Sequence, residues 1–348
     1  MTRSIPHTVN VPSVPDGLHS AKTLPSVTIV VIGRNEAAHL PRCFAAIRAL
    51  AYPPERVQLI YVDSGSTDAS CDIATAHGAL VVRLTEGRQS AARARNAGLN
   101  RATGEYVQFV DGDSTLFAGW LDAAVRAFDD PNVVAVFGRI EELRPDASPY
   151  MRVCSLDWER PTGPTAYCGG NALLRRAPLL ACGGFREDLV AGEEPELCYR
   201  LRRSGHTILH IHDRMAQHDL DMMTFGQYWR RGVRTGWALA VVGWLCRHGP
   251  ERLWRRENLV VAGETLLWTS FLVVAAVRTD HLWLLVLVTL LALRITAIAI
   301  RSRRRAQSWR HALEYSVHCV VLRLAMFVGQ VRGAAVLLAG RVRARDDG

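Results

Sequence analysis

Apolar runs punctuate the first third of the chain at regular intervals. Val27–Gly33 (VTIVVIG) and Val57–Asp63 (VQLIYVD) are almost continuously hydrophobic, the pattern of strands buried on both faces. ALVVRL and EYVQFVD repeat that pattern further on. Between the runs, Leu40, Phe44, Ile47 and Leu50 recur at helical spacing, STDASCDIATAHG reads as a helix closed by Gly78, and Ser90 to Ala102 is Ala-rich and helical. This alternation predicts an α/β fold of right-handed βαβ units, Rossmann-like, with a mainly parallel sheet flanked by helices. Ligands of such sheets bind beyond the carboxyl ends of the strands. Asp63 and Asp111 stand at such ends, and Asn35 and Glu36 lie in the loop after the first strand.

From Pro131 to about His212 the pattern is mixed. VVAVFGRI is a strand, YCGGNALLRR a glycine-loosened turn entering another, EPELCYRLRRSG a helix with Pro195 in its first turn, and HTILHIH a closing strand. The tail differs. Residues 259–277 and 281–300 are each about long enough to cross a bilayer as helices, and the short link RTD makes them a hairpin. A third apolar stretch, about 313–340, is interrupted by Glu314, Arg323 and Arg332 and reads as an interfacial or re-entrant helix. The run WALAVVGWLC is too short to cross and is expected at the surface. The predicted organisation is a disordered segment 1–25, an α/β domain 26–236, an amphipathic interfacial linker 237–257 and a membrane region 258–348.

Charge sharpens this division. Of 348 residues, those before Arg247 carry 26 basic and 26 acidic side chains, whereas 247–348 carry 16 basic and 7 acidic. Basic flanks around apolar helices predict that both hairpin ends, and the α/β domain, face the cytoplasm at the inner (plasma) membrane. No motif of interleaved basic and aromatic residues suggests a nucleic-acid partner. Eight cysteines are scattered without a CxxC pair, which gives the common zinc and thioredoxin-like patterns little support and reads as reduced thiols.

The candidate chemistry clusters at strand ends. Asp111 and Asp113 in FVDGDS are hard oxygen ligands suited to Mg²⁺ or Mn²⁺, with Gly112 allowing a tight turn. Asp63 is a plausible acceptor for base or ribose donors, and Ser66 reads as a helix N-cap. Arg93 and Arg95, on the helix entering that strand, can meet a nucleotide or its diphosphate. Glu194 precedes Pro195 near a helix N-terminus, whose dipole favours the carboxylate form. Glu196 and Arg200 form an i, i+4 pair with a structural role. His206, His210, His212 and His218 invite a zinc reading, although His210 and His212 alternate on a strand as an edge would.

The ordered set VVIGRNEAAHL, VDSGSTD, ARARNAGLNRATGEYVQFVDGDS, GGNALLRR, GGFRE and GEEPELCYRLRRSG resembles family 2 of the inverting glycosyltransferases with the GT-A fold, from about Val27 to Arg234. The resemblance implies a GT-A domain and a nucleotide-sugar donor, a UDP-sugar first, bound by Asn35, Glu36, Asp63, Arg93, Arg95, Asp111 and Asp113. It implies a divalent metal, Mg²⁺ or Mn²⁺, on Asp113 and Asp111, completed by His218. It places the catalytic base in the pair Glu193 and Glu194, where Glu stands in place of the usual Asp and leaves the choice between the two open. Gly170 and Asn171 would line the acceptor side. The basic tail is similar to members that build bacterial exopolysaccharide, such as succinoglycan, on lipid carriers, which implies a lipid-linked or glycan acceptor at the membrane. FGQYWRR partly resembles the QxxRW motif of processive synthases, with Arg231 where Trp is expected. A nucleotidyltransferase and a nucleotide-sugar-binding protein without transfer activity are the competing expectations.

Overall fold

The computed structural model describes residues 24–278 and 281–342. The first 23 residues of the expected disordered lead-in, and Thr279 and Asp280 of the RTD link, lie outside the described residues. The chain runs β1 (Val27–Gly33), α1 (Leu40–Arg48), β2 (Val57–Asp63), α2 (Ser70–Ala76), β3 (Leu80–Arg83), α3 (Ala91–Arg101) and β4 (Tyr106–Asp111). It continues through β5 (Ser114–Leu116), α4 (Trp120–Arg126), β6 (Val133–Glu142), α5 (Pro149–Asp157), β7 (Gly163–Thr165), β8 (Ala172–Arg175), α6 (Arg176–Ala181), α7 (Glu193–Arg203) and β9 (Thr207–His218). The last elements are α8 (Phe225–Leu245), α9 (Arg255–Arg278), α10 (His281–Ser302) and α11 (Trp309–Leu338).

The strands join one sheet in the order β3-β2-β1-β4-β8-β6-β9-β5, with β7 on β9. Strands β3, β2, β1 and β4 are parallel, as the alternating pattern requires. Beyond β4 the sheet is mixed, because β8 runs antiparallel to both β4 and β6. Val27, Ile29, Val30 and Val31 of β1 are completely buried, each worth about 1.5–3 kcal/mol. Helix α3 presses on β1 at Gly98, where an added Cβ would lie 2.2 Å from Val30 Cγ1.

Two registers set the site. Gly33 pairs with Asp63 and Ile32 with Asp111, so both aspartates emerge at one edge of the sheet. On the other side, β5 pairs antiparallel with β9 and places Ser114 opposite His218. Strand β9 is longer than HTILHIH suggested: it runs twelve residues to His218, bent past β6 by register shifts.

The tail is not a loosely attached appendage. Helix α8 passes unbroken through the expected boundary at 236/237, and Trp237, Ala238, Leu239, Val241 and Val242 are buried. The short apolar run expected at the surface is therefore half of a packed helix, because α11 covers it. The contact uses glycines on both helices. A Cβ at Gly236 would lie 1.8 Å from Met326 O, and one at Gly329 would lie 2.1 Å from Val233 O. Small residues four apart let backbones approach this closely. Gly236→Ala is accordingly expected to cost about 1–3 kcal/mol by overpacking, read as a lower thermal midpoint in detergent; an unchanged midpoint would show that the two backbones do not touch there.

Helices α9, α10 and α11 are long and apolar enough to cross a membrane, with mean hydropathies of 1.9, 2.4 and 1.6. Two of the three charges that interrupt the third apolar stretch, Glu314 and Arg323, have partners. Glu314 bonds Arg152 of α5 at 2.8 Å, and Tyr315 donates its hydroxyl to Asp157 at 2.7 Å. Glu264 of α9 pairs with Arg294 of α10 and lies 3.6 Å from Arg323 of α11. Gln330 donates to Asn258 at 2.8 Å. The bonds from α11 to α9 thus fall at Asn258, Glu264 and Thr265, all in the first half of α9.

Candidate active site

The loops after β1 and β2 are stitched into one wall. Asn35, at φ +58°, accepts from Thr67 N at 2.8 Å and donates its own N–H to Ser66 Oγ at 2.8 Å. Glu36 N donates to Ser70 Oγ and Ala37 N to Asp68 Oδ2. Ser66 is therefore a loop brace and not the N-cap the sequence suggested; α2 has no side-chain cap. Asp63 is buried and accepts from Gly65 N at 3.1 Å and Ser66 N at 3.0 Å. Asp68, unremarked in the sequence, closes the same wall by accepting from Ser70.

At the neighbouring strand end, Asp111, Asp113 and His218 each offer a ligand atom within 4.8 Å of the others. Strand β5 begins directly after Asp113, so FVDGDS is a turn between two paired strands and not a solvated loop. His218 Nε2 lies 3.2 Å from Asp113 Oδ1, yet that oxygen and His218 Nδ1 are buried without an aligned hydrogen bond. Burial, then Asp111 and Glu36, push the Asp113 carboxyl up to about 8, while burial holds His218 below its ordinary value. Two crowded carboxylates, one with a buried oxygen left without a donor, are suited to a hard cation. Trp158, which sequence reasoning passed over, closes one side, its ring edge-on to His218 at 5.6 Å. Of the remaining histidines, His210 is buried, stacked on Phe137 and bonded to Pro161 O, so the zinc cluster does not form around it.

Arg95 joins this seat to the acidic helix. It is buried, and its guanidinium reaches Asp111 at 3.1 Å, Glu193 at 3.1 Å and Glu194 at 3.0 Å. Although burial opposes its charge, Glu194, Asp111 and Glu193 together raise its pKa. Arg95 was expected to face the donor; it is instead a bridge, because three carboxylates enclose it. Arg93 stays half-buried and bonds Glu86 O, bracing the loop before α3. Gly170 is required by the same guanidinium: an added Cβ would lie 2.3 Å from Arg95 Nη2 and 3.0 Å from Asp111 Oδ2. Asn171 was expected to line the acceptor side, but it is buried, accepts from Asp111 N at 3.0 Å and donates to Ser114 Oγ at 3.2 Å. Its amide fixes the acidic turn from behind.

Glu193 and Glu194 begin α7, after Gly192 at φ +83°, a conformation that favours glycine. Glu193 is the deeper, with its side chain 8% exposed against 17% for Glu194. The helix dipole was expected to keep Glu194 in its carboxylate form. Burial and then Glu193 outweigh Arg95 and a backbone N–H hydrogen bond, and push Glu194 up to about 7. A carboxyl poised there can take a proton near neutral pH. The Glu196–Arg200 pair forms as read, at 2.8 Å, and Arg200 also donates to Cys182 O and Gly184 O.

Arg95→Met is expected to destabilise the fold by about 3–5 kcal/mol, since three carboxylates lose their buried partner. Chemical denaturation measures this; a change under 1 kcal/mol would mean that water already screens the group.

The family "Glycosyl transferase family 2" matches residues 28–180. Among characterised relatives, glycosyltransferase AglE of Haloferax volcanii is 25% identical over 254 residues, covering 69% of this chain and 82% of the relative. The pre-mycofactocin glycosyltransferase of Mycobacterium tuberculosis is 29% identical over 297 residues, covering 74% of this chain; the chain spans only 62% of that relative's length. Among solved structures, the mannosyltransferase PcManGT from Pyrobaculum calidifontis, in complex with GDP-Man and Mn²⁺, aligns with a TM-score of 0.66 and 22% identity over 90% of this chain and 88% of that one. TarS of S. aureus, residues 1–349, aligns at 0.52 and 15% identity over 90% and 92%.

Proposed function

Residues 28–180 are a glycosyltransferase family 2 domain on a GT-A fold, and from that premise we propose an inverting, metal-dependent enzyme. It moves a sugar from a nucleotide-diphosphate donor to an acceptor hydroxyl held at a membrane. One observation carries this reading: a single guanidinium, that of Arg95, holds Asp111 of the acidic turn and both glutamates of α7 within 3.1 Å. Two functions that must act on opposite sides of one anomeric carbon are thereby held at a set spacing.

In this reading Asp111, Asp113 and His218 hold a divalent cation, which would neutralise the charge of the departing diphosphate. The wall built by Asn35, Glu36 and Asp63 receives the nucleoside. Glu194, the more open glutamate, accepts the proton of the attacking hydroxyl. Glu193 stays on Arg95 and keeps the guanidinium in place. Attack from the face opposite the leaving group gives inversion in one displacement. The GDP-Man and Mn²⁺ in the Pyrobaculum structure support testing GDP-sugars beside UDP-sugars.

We also propose that α9 and α10 enter the bilayer as a hairpin while α11 lies across its base, with the catalytic domain on the cytoplasmic face. The bonds of α11 to α5 and to the first half of α9 support that arrangement, as do the exposed Leu272, Val273, Val277, Leu282 and Leu285 toward the hairpin tip. An acceptor on a lipid carrier, as in cell-surface polysaccharide assembly, would meet the site there.

The deciding experiment incubates the purified chain with a panel of UDP- and GDP-sugars and follows cation-dependent release of the nucleoside diphosphate. Turnover of at least one donor is expected. Formation of nucleotide-sugar from sugar phosphate and nucleoside triphosphate, with no donor turnover, would favour a nucleotidyltransferase instead.

A further inference from the structure

Two of the eight thiols meet behind the cleft. Cys168 Sγ and Cys198 Sγ lie 3.6 Å apart and share a hydrogen bond, although they stand 30 positions apart in the chain. Among the described residues no other two cysteines are bonded to each other. Both are buried, Cys168 at 4% exposure and Cys198 at 0%. The sulfurs need to close by only about 1.5 Å to reach the length of a disulfide bond. Cys168 lies in the irregular stretch between β7 and β8, just ahead of Gly169, whose added Cβ would meet nothing within 4 Å. That stretch has room to follow its sulfur toward α7.

The pair joins the two segments that enclose Arg95. Cys168 stands two residues before Gly170, where an added Cβ would lie 2.3 Å from Arg95 Nη2. Cys198 stands on α7 one turn after Glu194, and residues i and i+4 share a helix face. The hydrogen bond from Cys168 holds the Cys198 thiol below its ordinary value, against burial; the same bond, with burial, raises Cys168. Cys198 is therefore the readier nucleophile and Cys168 the resolving thiol. A cavity of about 580 Å³, lined by Ala166 and Tyr167, opens next to Cys168 along the chain and leaves ample room for an oxidant as small as peroxide.

We propose that Cys168 and Cys198 are a redox modification site, which a hydroperoxide closes and a dithiol reopens, and that closure slows the enzyme. The Cys198 thiolate attacks one peroxide oxygen. The S–O bond forms as the O–O bond breaks, and hydroxide leaves with a proton as water. Cys168 then attacks the sulfenic sulfur, the S–S bond forms, and the sulfenic oxygen leaves as a second water. Two thiols lose two electrons and two protons, and one peroxide gains them. Closure draws the Gly169–Gly170 backbone toward α7 and out of its fit against Arg95. A misplacement of about 1 Å can cost about 10²-fold in rate. The loss of turnover rests on the glycosyltransferase reading above; the bond itself does not.

The test treats the full chain in phosphatidylcholine nanodiscs with hydrogen peroxide and reads a peptide map without reduction. A peptide cross-linked through Cys168 and Cys198 is expected, and dithiothreitol should remove it. Donor turnover in the same discs should fall at least about tenfold on oxidation and return on reduction. Cys168→Ala and Cys198→Ala should each keep the turnover of the reduced chain, before and after peroxide. The map of the wild-type chain stands even where a variant fails to fold. Thiols still reduced once the half-buried Cys71 and Cys182 have reacted would overturn the site. So would oxidation of both to sulfonic acids with no cross-link. A cross-link that leaves turnover unchanged, or an equal loss of turnover in both alanine variants, would overturn the switch. If no donor turns over in the reduced chain, the glycosyltransferase reading fails by itself, and the peptide map still decides the pair.

Discussion

Asp113→Asn is expected to lower sugar transfer by about a thousandfold, roughly 4 kcal/mol of transition-state stabilisation. The substitution keeps the size of the side chain and the β4–β5 turn but removes the charge that would hold a cation beside His218. A coupled result concerns stability. The folded-state pKa of Asp113, about 8, lies above its ordinary 3.8. A raised acid penalises the fold once it must ionise, so the cation-free protein loses stability as pH rises from about 4 to 8. A divalent cation offsets that loss by pairing with the ionised carboxylate, and at pH 5 it must first displace a proton. Mn²⁺ should therefore raise the thermal midpoint more at pH 8 than at pH 5, and Asp113→Asn should abolish the difference. Equal Mn²⁺ effects at both pH values in the wild type would remove Asp113 from the cation site.

Glu194→Gln is expected to reduce turnover by about 10²–10⁴-fold, the range for a lost general base, with the binding of donor little changed. Glu193→Gln should cost less in turnover and more in stability, because Glu193 is the deeper partner of Arg95. The pH profile gives a separate check. Glu194 must be deprotonated to act, and burial together with Glu193 sets it at about 7. Turnover should rise with pH through about 7 and level off above it. In any active Arg95→Met protein that limb should move to higher pH, since Arg95 is the group pulling Glu194 down. If Glu193→Gln removed activity and Glu194→Gln retained it, the base assignment would reverse.

Legibility in the sequence followed the range of the interactions. Strands β1 and β2 have the bounds read from their apolar runs, since burial on both faces leaves no polar alternation. The Glu196–Arg200 pair was readable because helical spacing alone brings i and i+4 together. Strand β5 was not, being three residues with no periodicity to detect and stabilised by a partner about a hundred positions away. The role of Asn171 was misread for the same reason: its amide contacts Asp111 and Ser114 across the sheet.

The sequence by itself determined the parallel half of the sheet, the acidic groups at its strand ends, and the apolar, basic tail. Each depends on local pattern, because hydrophobic periodicity and charge placement are properties of neighbours along the chain. Tertiary structure alone decided that Arg95 would bridge Asp111, Glu193 and Glu194 instead of facing the donor, that Glu194 would be raised and not lowered, and that α8 would lock onto α11 through Gly236 and Gly329. Those outcomes depend on desolvation and on contacts between distant segments, and neither is set until the chain has closed around them.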